Sequence, residues 1–349
     1  MTVANSGIEG KKWRILLLTC RNPATDFRLP IARALQQLGH DVCYVYLKRK
    51  PVVVELANPG ERMEMSIPGL LSYLMRHVRP ARPLLVFNST NLVFPLFSRL
   101  LRAVVGGIWC FDMHDDLLYA SKGRDRSKLV LFQRLLLGGS DLIVHCAPTL
   151  IEKFPSSHHL GNASDLTPIA RTAPDFGRVL VLASIDERMD FDFLARCAAG
   201  NPDLVFEIFG QISGDNPLFR ADLDAMLSRC GNIVYHGAYK NSDLPDILGR
   251  YIVTLAPYVA VSPMTRYIDP LRYYHCLNSG QEVISTAIPK AQDFGSVLHV
   301  IDDPSVFGPL VRTLRDDASA RKNPGGTAAQ YNWPAKAKAL MRIVSSRPA

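Results

Sequence analysis

The chain has 349 residues, 48% of them hydrophobic and 21% charged, with a formal net charge of +8. That balance describes a folded globular protein and excludes a disordered or fibrous one, and the length points to two domains rather than one core. Seven scattered cysteines (Cys20, Cys43, Cys110, Cys146, Cys197, Cys230, Cys276) include no C-x-x-C pair, which argues against a zinc ribbon or a disulfide framework and fits a reducing cytoplasm.

From the N-terminus, Lys11-Lys12-Trp13-Arg14 is followed by a short apolar run that ends before Arg21. Such a run reads as a strand over 13–19, too short for a secretory leader. A helix over 29–38 and a strand over 41–47 complete a βαβ unit. Strands at 84–87, 107–111 and 141–146 follow, with helices near 92–104, 128–137 and 148–154, and the alternation predicts a parallel sheet. No apolar stretch reaches the roughly 18 residues of a membrane span; the longest candidate, 84–111, is cut by Asn88, Asn91, Arg99 and Arg102. A polar stretch over 156–175 reads as a linker.

The rhythm then restarts. Strands are expected at 178–183, 204–209, 232–235, 251–256, 282–285 and 297–301, with helices at 190–199, 218–229, 242–249 and 270–278. The expected division is an N-terminal domain over 1–165, a second over 166–326, and a last helical segment over 327–349 that packs back toward the first. In open parallel sheets ligands sit beyond the carboxyl ends of the strands, so two such domains predict an interdomain cleft.

Charge is unevenly spread. Residues 1–165 hold 21 Lys and Arg against 13 Asp and Glu, whereas the remainder holds 19 of each. Lys48-Arg49-Lys50, Arg76, Arg79, Arg82, Arg99 and Arg102 adjoin apolar stretches such as 68–75. This mixture suits either a surface resting on anionic lipid or a solvated basic face over a buried amphipathic helix. Nucleic acid is not expected as a partner, because no recognised binding motif or long basic tract accompanies the charge.

The richest stretch is 262–286, SPMTRYIDPLRYYHCLNSGQEVIST. Asp269 as helix cap and Pro270 as first helical residue would leave the amides of Leu271, Arg272 and Tyr273 at a partly positive helix end, where an anion is welcome. Arg272 and His275, three residues apart, would share one face. Ser262, Gly210 and Tyr258 lie at neighbouring strand exits; glycine there would let a ligand approach the backbone, and Tyr258 could stack on a base or simply pack. At another strand end, Cys110-Phe111-Asp112-Met113-His114-Asp115-Asp116 gathers carboxylates and an imidazole. Like charges crowded out of water raise a carboxylate pKa toward the range of a general base, which Asp115 or Asp116 could supply. Asp190-Phe191-Asp192 and Asp222-Leu223-Asp224 are read as helix acids rather than metal sites. No metal is expected. Asp26 and Arg28 lie in a glycine-free first βα turn, which lacks the dinucleotide-binding fingerprint; they stand on the acceptor side or cap a helix.

In order and character these motifs resemble a GT-B glycosyltransferase of the bacterial polysaccharide type. The resemblance rests on 181–193 (VLASIDERMDFDF), 201–210 (NPDLVFEIFG), 235–239 (YHGAY), 255–258 (LAPY) and 269–286. The first domain is more faintly similar to the xanthan-type membrane-associated glucuronosyltransferase, through Asp26-Phe27-Arg28, Val86-Phe87-Asn88-Ser89 and His114-Asp115-Asp116-Leu117. The resemblance implies a two-domain Rossmann-like fold and a nucleotide-diphospho-sugar donor, UDP-linked by expectation, with no other cofactor. It also implies a lipid-linked saccharide acceptor and peripheral attachment to the inner face of the plasma membrane. It puts the family's phosphate-binding lysine on Arg272, its ribose-contacting acid on His275 and its catalytic aspartate on Asp115. Two glutamates common among retaining members fall on Tyr267 and His275, so an inverting displacement is favoured over a retaining one. The exchange at His275 also leaves open a catalytically silent scaffold.

Overall fold

The computed structural model describes residues 12–23, 26, 28–54, 56, 62–77, 83–89, 95–114, 123–171, 175–323, 326 and 331–346. They form two compact units: the chain up to Gly161 together with the segment from Trp333, and the continuous stretch Asn162–Asn332.

The first unit is built on strands β1 (Arg14–Thr19), β2 (Asp41–Tyr46), β3 (Val52–Val54), β4 (Arg62–Glu64), β5 (Leu84–Ser89), β6 (Ile108–Met113), β7 (Leu142–His145) and β8 (His158–His159), in the sheet order β4-β3-β2-β1-β5-β6-β7-β8. Pairing is parallel except along β2–β3 and β3–β4. Its helices are α1 (Leu29–Gln37), α2 (Ile67–His77), α3 (Pro95–Val105) and α4 (Gly123–Leu137). The step from β1 to β2 runs toward one edge of the sheet, and the steps through β5, β6 and β7 run toward the other. Right-handed crossovers therefore put α1 on one face and α2, α3 and α4 on the opposite face. Leu70 and Leu74 of α2 and Leu101 of α3 pack there against Leu16, Leu18, Val45, Val86 and Trp109. The central strands are covered on both sides, which is why they read as unbroken apolar runs.

The second unit runs β9 (Arg178–Leu182), α5 (Phe191–Ala199), β10 (Val205–Phe209), α6 (Pro217–Arg229), β11 (Ile233–Gly237), α7 (Leu244–Gly249), β12 (Val253–Ala256), α8 (Pro263–Arg266), α9 (Leu271–Asn278), β13 (Glu282–Thr286), α10 (Pro289–Asp293), β14 (His299–Ile301) and α11 (Phe307–Asp316). Its sheet is wholly parallel, in the order β11-β10-β9-β12-β13-β14. Two apolar layers flank it, one around Val181, Phe206 and Phe307 and the other around Leu182, Tyr251 and Tyr273. Asp190 caps α5 by accepting from the Phe193 amide at 2.8 Å, and Asp192 pairs with Arg196 one turn on at 3.2 Å. Asp222 and Asp224 are exposed on α6. The acids of both D-x-D strings thus belong to helices, as their positions predicted.

After Asn332 the chain returns to the first unit as α12 (Trp333–Ser345), which lies against α1. Among the described residues no helix is long and apolar enough to cross a membrane.

Candidate active site

In the second unit the strand order reverses at β9, with β10 on one side and β12 on the other. The chain leaves β9 for α5 on one face of the sheet and β12 for α9 on the other, and such a switch point is where open α/β sheets hold ligands. The rim is zipped by backbone bonds from Asp190 N to Pro257 O and from Val259 N to Arg188 O, both 2.9 Å. Arg188 chelates the buried Asp186 carboxylate and stands beside Tyr258. Burial raises the Tyr258 hydroxyl pKa, and the nearby charges of Arg272 and Arg188 oppose that rise. Two guanidinium groups thus converge on this rim.

Arg272 reaches the rim from the first turn of α9. The expected cap is not made by Asp269: the residue before the helix is Pro270, with extended ψ of 114°, and it makes no side-chain cap. Asp269 is buried and used elsewhere. It accepts from the Asn162 amide at 2.6 Å and from Tyr274 Oη at 2.9 Å, with Lys290 Nζ 3.5 Å away. The helix buries Tyr273, Tyr274, Cys276 and Leu277 and leaves Leu271, Arg272 and His275 half-buried on one side. The Arg272 guanidinium lies 4.9 Å above the Tyr258 ring. Tyr239, half-buried just beyond β11, feels the Arg272 charge too.

His275 Nδ1 is 2.7 Å from Ser164 Oγ, and burial lowers the imidazole pKa to about 4, so the ring is neutral near pH 7. Tyr258 is only 3% exposed, packed edge-on against Tyr273 and roofed by Arg272. It seats the cation and presents no open ring to a base. At Gly210 the close approach predicted for a ligand is made by the chain itself: a Cβ there would lie 1.4 Å from the Ala183 carbonyl oxygen. Ser262 caps the short α8 by accepting from the Met264 amide at 3.1 Å. Gly210, Tyr258 and Ser262 therefore shape the rim through backbone and packing.

The first unit has a similar reversal at β1, between β2 and β5. There Asp112, fully buried on β6, is gripped by Arg28 through Nε at 2.9 Å and Nη2 at 3.0 Å. Ser89 Oγ donates to the same carboxylate at 2.9 Å, and His114 Nε2 lies 2.9 Å from it and 3.0 Å from Ser89 Oγ. Burial alone would raise the Asp112 pKa, but the charges and hydrogen bonds of Arg28 and His114 outweigh it and hold the carboxyl well below the usual range. The crowding expected to raise carboxylate pKa values in this motif does not govern Asp112, because a cation is interposed.

Asp26 is committed internally, accepting from the Arg28 amide at 2.8 Å and from Tyr44 Oη at 2.6 Å. Arg28 also lies 5.7 Å from the Trp333 ring centroid. Both are buried parts of the strand mouth rather than exposed acceptor contacts. Asp115 and Asp116 lie outside the described residues, directly after His114.

Sequence reasoning passed over Asp112 and Ser89 as partners of His114, and Arg188 and Tyr239 as companions of Arg272. The available signal was their position at strand exits on either side of a reversal in strand order.

No family model matches the sequence, and neither does any curated protein. Solved structures do match over nearly the whole chain. Sucrose-phosphate synthase from Thermosynechococcus elongatus superimposes with a TM-score of 0.69 at 13% identity, covering 96% of this chain and 98% of that one. A glycosyltransferase from Rickettsia africae gives 0.65 at 12%, covering 95% and 97%. Anabaena HepE, solved with UDP and with UDP-glucose, gives 0.63 at 11%, covering 96% and 100%. These neighbours are GT-B glycosyltransferases, and the chain has their fold, two parallel-sheet α/β units.

Proposed function

We propose that this chain is a glycosyltransferase that moves a sugar from a nucleotide-diphospho-sugar to a saccharide acceptor. The supporting observation is the cation-lined exit of β9 and β12, on a fold shared over its full length with HepE, which was solved with UDP-glucose. In this reading the diphosphate binds at the start of α9, where Arg272 and the amides of Leu271 and Arg272 face the charge that grows as the leaving group departs. An acceptor hydroxyl attacks the anomeric carbon, the bond from that carbon to the diphosphate oxygen breaks, and Asp115 takes the hydroxyl proton. His114, steadied by Asp112 and Ser89, orients the acceptor side.

Inversion at the anomeric carbon follows from a single displacement, and no metal enters the scheme. The acceptor is a lipid-linked saccharide of a surface or exopolysaccharide, met at the cytoplasmic face of a membrane. A panel of UDP-, GDP- and dTDP-sugars read by thermal shift is the first test. Saturating donor should raise the melting midpoint, since ligand binding to the folded state stabilises it by mass action. With the donor identified, Asp115→Asn should lose turnover by at least about a hundredfold while donor affinity stays within about twofold. A turnover close to wild type would remove Asp115 from the base role, and a product of retained configuration would remove the inverting scheme.

A second reading, a catalytically silent scaffold in polysaccharide assembly, draws on His275. Its imidazole is held to Ser164 and kept neutral, so it does not supply a carboxylate to a ribose. A scaffold would show no stabilisation by any of the nucleotide sugars.

A further inference from the structure

The helical face formed by α2, α3 and α4 carries an unusual surface. On α3, Leu96, Leu100 and Val104 are 69%, 58% and 50% exposed. They recur every fourth residue, so they form one outward line along the helix. The neighbouring helices carry exposed apolar side chains too, Met75 of α2 and Leu131 of α4, at 62% and 54%. On the opposite face, α1 and α12 have no large exposed apolar side chain among the described residues.

Charge follows the same face. The sequences of α2, α3 and α4 hold seven Arg and Lys residues and a single acid, Asp125. Arg102 is tied to Asp141 at 2.8 Å, and the Lys48 and Lys50 cluster is answered by Glu64 at 3.0 and 3.7 Å. Arg99, Arg126, Lys128 and Arg134 are exposed, and among the described residues none of them is paired with a carboxylate. Unanswered cations therefore flank a line of exposed leucine and valine.

We propose that the outer face of α2, α3 and α4 rests on an anionic lipid bilayer, with Leu96, Leu100 and Val104 entering the headgroup boundary and Arg99, Lys128 and Arg134 meeting lipid phosphates. The chemistry selects this occupant. A line of aliphatic side chains gains by leaving water for the acyl boundary, and cations beside it gain from the negative surface potential. An eleven-residue helix is far too short to span, so attachment is peripheral. This assigns a face to the membrane contact in the functional reading above, but does not depend on catalysis.

The test is co-sedimentation of the full chain with phosphatidylcholine vesicles, with and without phosphatidylglycerol, in the absence of sugar nucleotide. Binding is expected only with the anionic lipid. Combined Arg99→Glu and Lys128→Glu should weaken it about tenfold or more, because each basic residue near the surface contributes roughly a kilocalorie-scale attraction. Combined Leu96→Ser, Leu100→Ser and Val104→Ser should remove the part of binding that survives high salt. Lys338→Glu with Arg342→Glu, on exposed positions of α12, should leave it unchanged. Far-UV circular dichroism confirms that each variant is folded.

Failure of the wild type to sediment, α3–α4 variants that bind as the wild type does, or loss caused by the α12 pair would each overturn the assignment. Salt-sensitive binding to an acidic soluble protein without vesicle binding would also overturn it, by making the face a protein interface. Nucleotide recognition is read separately by thermal shift, so either reading can fail while the other stands.

Discussion

At the scale of single residues, the proposed donor site makes its most direct prediction at Arg272. It is half-buried at the start of α9 and held above Tyr258 at 4.9 Å, so it is ordered before a ligand arrives and loses little freedom on binding one. Hydrogen bonds to a charged partner contribute about 1.5–3 kcal/mol each, so Arg272→Ala should weaken nucleoside-diphosphate affinity by about 10–100-fold, measured by calorimetry. Unchanged affinity would place the diphosphate elsewhere. His275 makes a different prediction. Burial lowers its folded pKa from the ordinary imidazole value of 6.5 to about 4, so between those values the unfolded chain binds a proton that the folded chain refuses. Stability is therefore retained above about pH 6.5 and falls as pH drops toward 4. For a half-buried ring the loss should be about 1–2 kcal/mol, and His275→Gln should flatten the stability profile across that window in denaturant titrations.

At the scale of elements, the strands were legible where they are buried on both faces. The stretches 15–18 of β1, 84–87 of β5 and 179–182 of β9 are unbroken apolar runs, because the sheets are covered on both sides. The short antiparallel pair β3 and β4 was not legible: Val52–Val54 has three residues, and Arg62–Glu64 is an exposed edge with no apolar period. The cap on α9 was misread for a tertiary reason. Asp269 looks like a cap in sequence, but its carboxylate bonds to Asn162, which is 107 positions away. The same distance effect hid the grip of Arg28 on Asp112, 84 positions apart. Helix α12 shows what such long-range packing contributes. Trp333 is 3% exposed, α12 lies against α1, and the Arg28 guanidinium sits 5.7 Å from the indole. Trp333→Ala removes a buried indole and one wall around an ion pair that needs low solvent access, and should cost about 3–4 kcal/mol of first-unit stability. A change under about 1 kcal/mol in the chemical denaturation midpoint would show that α12 contributes little to that unit.

At the scale of the whole molecule, the two units differ in how the chain builds them. The second is continuous from Asn162 to Asn332 and contains its own core layers together with Arg188, Tyr239, Tyr258, Arg272 and His275. The first is discontinuous, since α12 comes from the far end of the sequence. A fragment of residues 162–332 should therefore fold alone and give a cooperative melt, and, if the proposed donor site is right, bind nucleoside diphosphate within about tenfold of the full chain, because every residue proposed for that site lies in the fragment. A fragment ending at residue 161 should not behave in that way. It lacks α12, leaves the apolar side of α1 in water and strips Trp333 from the Arg28–Asp112 pair, so it should melt broadly or aggregate until a peptide of residues 333–349 is supplied. Circular dichroism melts of both fragments, with and without the peptide, decide the matter. If the first fragment melts as sharply alone as with the peptide, the C-terminal helix is an appendage and not part of the fold.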